Sequence, residues 1–206
     1  MPLQFDLPRV RRPLLIVVSG PAGSGKTTLC SRLTAAYPQA IRRVITCTTR
    51  APRPGEVDGV DYHFLARAEF EKQIAAGVFL EHATVHGNLY GPRAKDVAAH
   101  LDAGFDALLN VDVQGAATIR AQAASNPRLA AALVTAFVRV LDPVELRRRL
   151  TGRGTDPADE IDRRVKAAEW ELSHAGEYQH VIESGSREAD FMALDSIYQG
   201  EKGRHL

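Results

Sequence analysis

Residues 14–29 read Leu-Leu-Ile-Val-Val-Ser-Gly-Pro-Ala-Gly-Ser-Gly-Lys-Thr-Thr-Leu, and this stretch decides the fold. The segment Gly20–Thr27 matches the pattern G-x-x-x-x-G-K-[ST]. A short apolar run, Leu14 to Val18, precedes it, and Leu29 and Leu33 follow at helical spacing. The spacing predicts a buried strand, a tight turn and a helix. Glycines let the turn curl so that several backbone N–H groups converge on an anion, and the helix adds the positive end of its dipole. Gly20, Pro21, Ala22, Gly23, Ser24, Gly25, Lys26, Thr27 and Thr28 are therefore the candidate residues for binding the phosphates of a nucleotide. Lys26 can reach the β- and γ-phosphates, and the Thr27 hydroxyl can ligate Mg²⁺. The loop alone does not separate an ATPase, a GTPase and a kinase. The N-K-x-D base-reading motif of a switch GTPase does not occur in the sequence.

Working outward, short β-branched runs recur at Val44–Thr46, Ala107–Val111, Phe137–Leu141 and Val181–Glu183. Helical stretches separate most of them, which predicts an α/β fold with a parallel sheet flanked by helices. Asp142-Pro143-Val144-Glu145 is a helix start, with Asp as N-cap, Pro at the first helical position and Glu at the third. Thr155-Asp156-Pro157 precedes a second helix over about 158–175, in which Ile161, Val165, Ala168 and Leu172 form the buried stripe. Arg163, Arg164 and Lys166 lie off that stripe and are expected to face out. From Arg50 to Pro92 the rhythm breaks into a Gly-, Pro-, Arg- and Tyr-rich segment, read as a small, partly β lobe inserted in the core.

Length and composition set the bounds. The chain has 206 residues, is 45% hydrophobic and carries a formal net charge of +1. That is the composition of a globular protein with an ordinary core. It gives no global field for nucleic acid or a membrane surface, so an anion site must be a local cluster of Arg and Lys. Cys30 and Cys47 have neither metal-site spacing nor a disulfide framework and read as reduced, part-buried thiols of a cytoplasmic protein. Residues 1–12, with Arg9, Arg11 and Arg12, read as a flexible leader.

Three further blocks carry more specific information. Thr46-Cys47-Thr48-Thr49-Arg50-Ala51-Pro52-Arg53-Pro54-Gly55-Glu56 leads to Asp58-Gly59-Val60-Asp61-Tyr62. Phe79-Leu80-Glu81-His82-Ala83 and Gly87-Asn88-Leu89-Tyr90-Gly91 follow, then Asn110-Val111-Asp112-Val113-Gln114-Gly115. From about residue 13 to 183 the chain resembles the guanylate kinase family. The resemblance implies a P-loop kinase core (13–45, 93–141 and 176–200), a GMP-binding lobe (46–92) and a helical lid (142–175). It implies ATP and GMP as substrates, dGMP as a second acceptor, direct in-line phosphoryl transfer, and Mg²⁺ as cofactor.

Chemistry supports the carry-over. Arg50 and Arg53 are guanidiniums three residues apart, suited to forked contacts with a phosphate. Tyr62 and Tyr90 can each donate an O–H to the same phosphate. Glu81 can accept from guanine N1–H and N2–H₂ together, whereas adenine has an acceptor at N1. The resemblance puts the Thr46 hydroxyl at the guanine O6 edge and Asp112 as a second base-side carboxylate.

The segment Arg147–Thr155 resembles the family's lid. By that resemblance Arg149 and Arg153 approach the ATP phosphates, and Arg164 lies between donor and acceptor phosphates. These three, with Lys26, are the candidate catalytic residues, while Arg147 and Arg148 read as solvated. Four positions depart from the family pattern: Leu89 for a Tyr, Pro92 for a hydroxyl residue, Asn110 for an acid and Ser184 for an Asn. Two rival readings share the core. One is a ribose 1,5-bisphosphate phosphokinase, which should lack the Arg50, Arg53, Tyr62 and Glu81 set. The other is a non-catalytic guanylate-kinase-like binding module, which should lack Lys26 and Thr27.

Overall fold

The computed structural model describes residues 12–85, 87–152 and 157–204. Among these, one sheet has the strand order β2-β7-β1-β8-β9. Its members are β1 (Leu15–Ser19), β2 (Ile41–Arg43), β7 (Asp106–Asn110), β8 (Leu133–Arg139) and β9 (His180–Glu183). Every pairing within it is parallel. All five residues of β1 are buried, as expected for the central strand of a sheet covered on both faces.

Two apolar clusters sandwich this sheet. On one face Ile16, Val18, Leu108 and Val138 pack with Leu29 and Leu33 of α1 (Lys26–Ala36) and with Leu194 and Tyr198 of α8 (Arg187–Arg204). On the other, Leu15, Val17, Leu109 and Phe137 pack with Val97 of α3 (Ala94–Asp102) and Ile119 of α4 (Val113–Ser125). The helix α5 (Pro127–Ala132) connects α4 to β8.

A second sheet has the order β4-β3-β6-β5. It comprises β3 (Cys47–Thr48), β4 (His63–Phe64), β5 (Ala83–Val85) and β6 (Asn88–Gly91), with α2 (Arg67–Ala75) beside it. Phe70 and Phe79 stack with centroids 4.3 Å apart over Cys47 and Leu89, which gives these strands a small core of their own. The remaining helices are α6 (Pro143–Thr151) and α7 (Ala158–Ser173). Leu146 and Leu150 of α6 meet Ile161 and Ala168 of α7 in a separate cluster.

Several expectations shift in detail. Val44–Thr46 is not a strand; it is the link between β2 and β3, where the chain leaves one sheet for the other. Only Phe137–Arg139 of the run Phe137–Leu141 is strand; β8 starts four residues earlier, at Leu133, because Leu133–Phe137 pairs with Leu15–Ser19, and it ends at Arg139. The helix start at Asp142 is as expected, its side chain accepting from the Val144 N–H. Arg163 is exposed, but Arg164 does not face out: its side chain is 11% exposed and paired with Glu160 at 2.9 Å. Cys30 and Cys47 are fully rather than partly buried, and burial pushes their thiols up to about 12 and about 11.

Candidate active site

The phosphate loop turns between β1 and α1, with left-handed backbone at Gly23 (φ 88°) and Gly25 (φ 98°). Gly20 must be glycine for space as well. A β-carbon there would come within 2.4 Å of the Val138 carbonyl oxygen on β8. The Lys26 ammonium folds back over the loop, donating to the carbonyls of Gly20 at 2.6 Å and Pro21 at 2.8 Å. Thr27 Oγ1 accepts from Asn110 Nδ2 at 3.1 Å, which joins the loop to the end of β7. A hydroxyl has a second lone pair, so Thr27 can still serve a cation.

A cleft of about 360 Å³ opens beside this loop. Its walls bring together residues far apart in sequence: Gly20, Ala22, Lys26 and Thr27 from the loop, and Thr46, Arg53, Tyr62, Glu81 and Tyr90 from the second sheet and its connections. Asn110 and Asp112 join from the end of β7, and Arg164, Trp170 and Glu171 from α7.

At the second-sheet end, Arg50 is held in a fork by Glu56, Nη2 to Oε1 at 2.8 Å and to Oε2 at 2.9 Å. Glu56 Oε2 also accepts the Arg53 backbone N–H at 2.7 Å. One carboxylate thus sets the spacing of both arginines. The Arg50 guanidinium lies 5.4 Å from the Tyr62 ring centroid, and the rings of Tyr62 and Tyr90 are 6.1 Å apart. Arg53, Tyr62 and Tyr90 line the cleft with groups that can all donate, as a phosphate dianion requires, whereas Arg50, forked onto Glu56 beside Tyr62, is not among the lining residues.

At the inner end, Glu81 is 4% exposed and its Oε2 has no hydrogen-bond partner among the described residues. Burial and the neighbouring Asp112 push its carboxyl up to about 8. Asp112 is the N-cap of α4, accepting the Gly115 N–H at 2.7 Å, and burial raises its pKa as well. An unsatisfied buried acceptor is costly unless a ligand supplies the donor.

A second hollow of about 500 Å³ lies on the other side of the loop, lined by Gly25, Thr28, Arg149, Gly185 and Asp190 among others. Arg149 reaches Ser184 Oγ at 2.8 Å, the Gly185 carbonyl at 3.1 Å and Glu145 at 2.7 Å. The Glu145 carboxyl is held down to about 2 by Arg148 and Arg149. Arg148 pairs with Glu145 and Arg147 with Asp162, both at the surface. Arg153 lies outside the described residues.

The guanylate kinase family model matches residues 11–201 of this chain. The chain belongs to the guanylate kinase family. It is 46% identical over 168 residues to a guanylate kinase of Dechloromonas aromatica, covering 82% of this chain and 79% of that one. It is 40% identical over 196 residues to a guanylate kinase of Ruegeria sp. TM1040, covering 95% and 88%. The crystal structure of guanylate kinase from Anaplasma phagocytophilum superposes with a TM-score of 0.73 at 30% identity, covering 93% of this chain and 87% of that chain. A gluconokinase structure from Sinorhizobium meliloti, at 16% identity and a TM-score of 0.51, shares the fold alone.

For a guanylate kinase family member, the four departures have local explanations. Leu89 is 7% exposed and fills the small core with Cys47 and Phe70. Pro92 gives its carbonyl to the Leu80 N–H at 2.9 Å, a pairing that needs no N–H of its own. The adjacent Arg93 turns to Gln73, 3.4 Å away, and is not among the residues lining the cleft. Asn110 bonds Thr27, and Ser184 joins Arg149 to Asp190 Oδ2, the latter at 2.8 Å.

Sequence reasoning assigned no role to Glu56 or Glu171. Glu56 closes the quoted block beginning at Thr46, but its fork onto Arg50 depends on the turn between them. Glu171 follows Arg164 by seven residues on α7, which is two helical turns and hence the same face. Burial pushes its carboxyl up to about 7, with Lys26 and the Ala22 N–H acting against that rise. The seven-residue spacing was the one available signal.

Proposed function

We propose that this chain transfers the γ-phosphoryl group of ATP to GMP, and to dGMP, giving ADP and GDP by direct in-line displacement. The observation that carries this reading is one cleft that has the phosphate loop along one wall and, in another, the buried Glu81 carboxylate whose Oε2 has no partner among the described residues. Guanine offers N1–H and N2–H₂ side by side, donors for an ionised Glu81 whose Oε2 has none among the described residues, with Asp112 beside it as a second carboxylate. Thr46 has a hydroxyl for the O6 edge. Arg50, Arg53, Tyr62 and Tyr90 receive the acceptor phosphate.

The donor phosphates belong on residues 20–28, with Lys26 leaving the Gly20 and Pro21 carbonyls for the β- and γ-oxygens. Thr27 Oγ1 is a neutral oxygen suited to Mg²⁺, whose other ligands would be phosphate oxygens and water. Mg²⁺ bound there would neutralise charge on the transferring group. Residues 46–92 act as the acceptor lobe, 142–175 as the lid, and 13–45, 93–141 and 176–200 as the core. Arg149 and Arg153 take the donor side and Arg164 the gap between donor and acceptor, where charge develops during transfer. No side chain is called on as a nucleophile, so no covalent enzyme intermediate forms. A cytoplasmic location agrees with two free, buried cysteines.

The test is to incubate the protein with ATP, Mg²⁺ and GMP and to separate the nucleotides. Equal amounts of ADP and GDP are expected. ADP formed without GDP would mean hydrolysis and would reject the proposal.

A further inference from the structure

Glu81 sits between two glycines. Its carbonyl oxygen lies where a β-carbon on Gly91 would come within 2.8 Å. Its carboxylate lies against Gly115, in the first turn of α4. A β-carbon at position 115 would be 2.5 Å from Oε2, 2.7 Å from Cδ and 2.9 Å from Oε1.

Nothing in the backbone asks for glycine at 115. The residue is helical and is not among the glycines with positive φ. Alanine is the better helix former there. The Gly115 N–H is already given to Asp112 Oδ1 at 2.7 Å, so its contact with Glu81 is one of shape. Glycine at this place costs helix propensity and leaves a hollow the size of a side chain, which the Glu81 carboxylate fills.

The atoms that a methyl group would strike are the far end of one side chain, not backbone. The fold can accommodate the methyl by turning Glu81 aside. What it cannot keep is the carboxylate where it is. Glu81 and Asp112 both line the cleft, and moving the first changes the distance between the two acceptors.

We propose that Gly115 is a specificity-determining positioning residue: the absent side chain in the first turn of α4 sets where the Glu81 carboxylate stands to read the acceptor base. The proposal rests on Glu81 as the base reader. Gly115 touches no substrate and acts only through Glu81. Its effect is confined to the acceptor base and leaves the phosphate loop and the donor site alone.

The experiment is a double-mutant cycle on the full chain with Gly115→Ala, Glu81→Ala and the double variant, measuring kcat, KM for GMP, KM for ATP and Tm. Gly115→Ala should raise KM for GMP about tenfold or more while KM for ATP stays within about twofold. Its Tm should hold or rise, since a helix former replaces glycine. In the Glu81→Ala background no carboxylate remains to displace, so adding Gly115→Ala should change KM for GMP by less than about twofold. Equal effects in the two backgrounds, or no effect on KM for GMP in the native one, would overturn the proposal. Glu81→Ala alone separates the two ideas: if it leaves KM for GMP unchanged, the base reading itself fails and the proposal fails with it. Should Gly115→Ala not fold, the double variant should, because the three atoms nearest its methyl all belong to the Glu81 carboxylate and are removed; a double variant that also fails to fold overturns the proposal.

Discussion

GMP should bind about eightfold more tightly at about pH 8.5 than at about pH 7, and the reason is one carboxyl group. Burial, with Asp112 beside it, raises Glu81 from the ordinary carboxylate range to about 8. Below that value the free protein keeps Glu81 protonated. The protonated group presents an O–H where guanine needs an acceptor for N1–H and N2–H₂. GMP must therefore select the ionised form. One unit below its pKa, only about one molecule in eleven is ionised, a handicap of about 1.4 kcal/mol. Half a unit above it, about three in four are ionised, so the ratio of apparent Kd values is about eight. The sign is fixed: affinity rises as pH rises through about 8. The GMP phosphate, with a second pKa near about 6, is already largely a dianion across this window. The assay is isothermal titration of GMP without ATP, in at least two buffers of different ionisation enthalpy. The native protein should release close to one proton on binding at about pH 7. In Glu81→Gln the slope and the proton release should both vanish. A flat profile in the native protein, or an unchanged slope in Glu81→Gln, would refute the reasoning.

Other perturbations follow from the same geometry. Arg164→Met should lower kcat by about a hundredfold with little change in either KM, because the charge it meets appears during transfer; steady-state kinetics in both substrates checks this. Glu56→Gln should loosen the Arg50 fork and the Arg53 turn together and raise KM for GMP about fivefold, a cost of about 1 kcal/mol for a partly buried ion pair, with KM for ATP unchanged. Pro92→Ser should leave KM for GMP within about twofold, because Pro92 is buried, pairs its carbonyl with Leu80 and is not among the residues lining the cleft; a clearly lower KM would show that a hydroxyl there reaches the phosphate. Arg93→Ala should leave KM for GMP unchanged, because Arg93 is engaged with Gln73 outside the cleft lining; a weaker GMP affinity in that variant would show that Arg93 reaches the phosphate.

Much of the fold was legible because its signals are local. The strand, turn and helix around Gly20–Thr27 are contiguous, and the Asp142 cap acts within two residues. The segment with the GMP-lobe blocks declared itself by composition, and its residues do form the second sheet. What the sequence hid depends on distance. Val44–Thr46 has strand composition, yet it lies where the chain passes between sheets, and sheet membership is decided by partners elsewhere. Arg164 lies off the apolar stripe of α7, and periodicity alone sent it to solvent. It is instead covered by the cleft and by Glu160, because a helix on the wall of a cleft has two buried faces. Glu56 and Gly115 gain their roles from a fork and a close approach, neither of which is encoded in spacing.

A panel of acceptors decides whether GMP is the substrate. The protein is assayed with ATP and Mg²⁺ against GMP, dGMP, AMP, UMP and ribose 1,5-bisphosphate, with Lys26→Ala as the control for the phosphate loop. Turnover of GMP and dGMP is expected, with kcat/KM for AMP and UMP lower by at least about a hundredfold, no turnover of ribose 1,5-bisphosphate, and loss of turnover in Lys26→Ala. Equal use of GMP and AMP, or a preference for ribose 1,5-bisphosphate, would contradict the assignment of GMP as the acceptor.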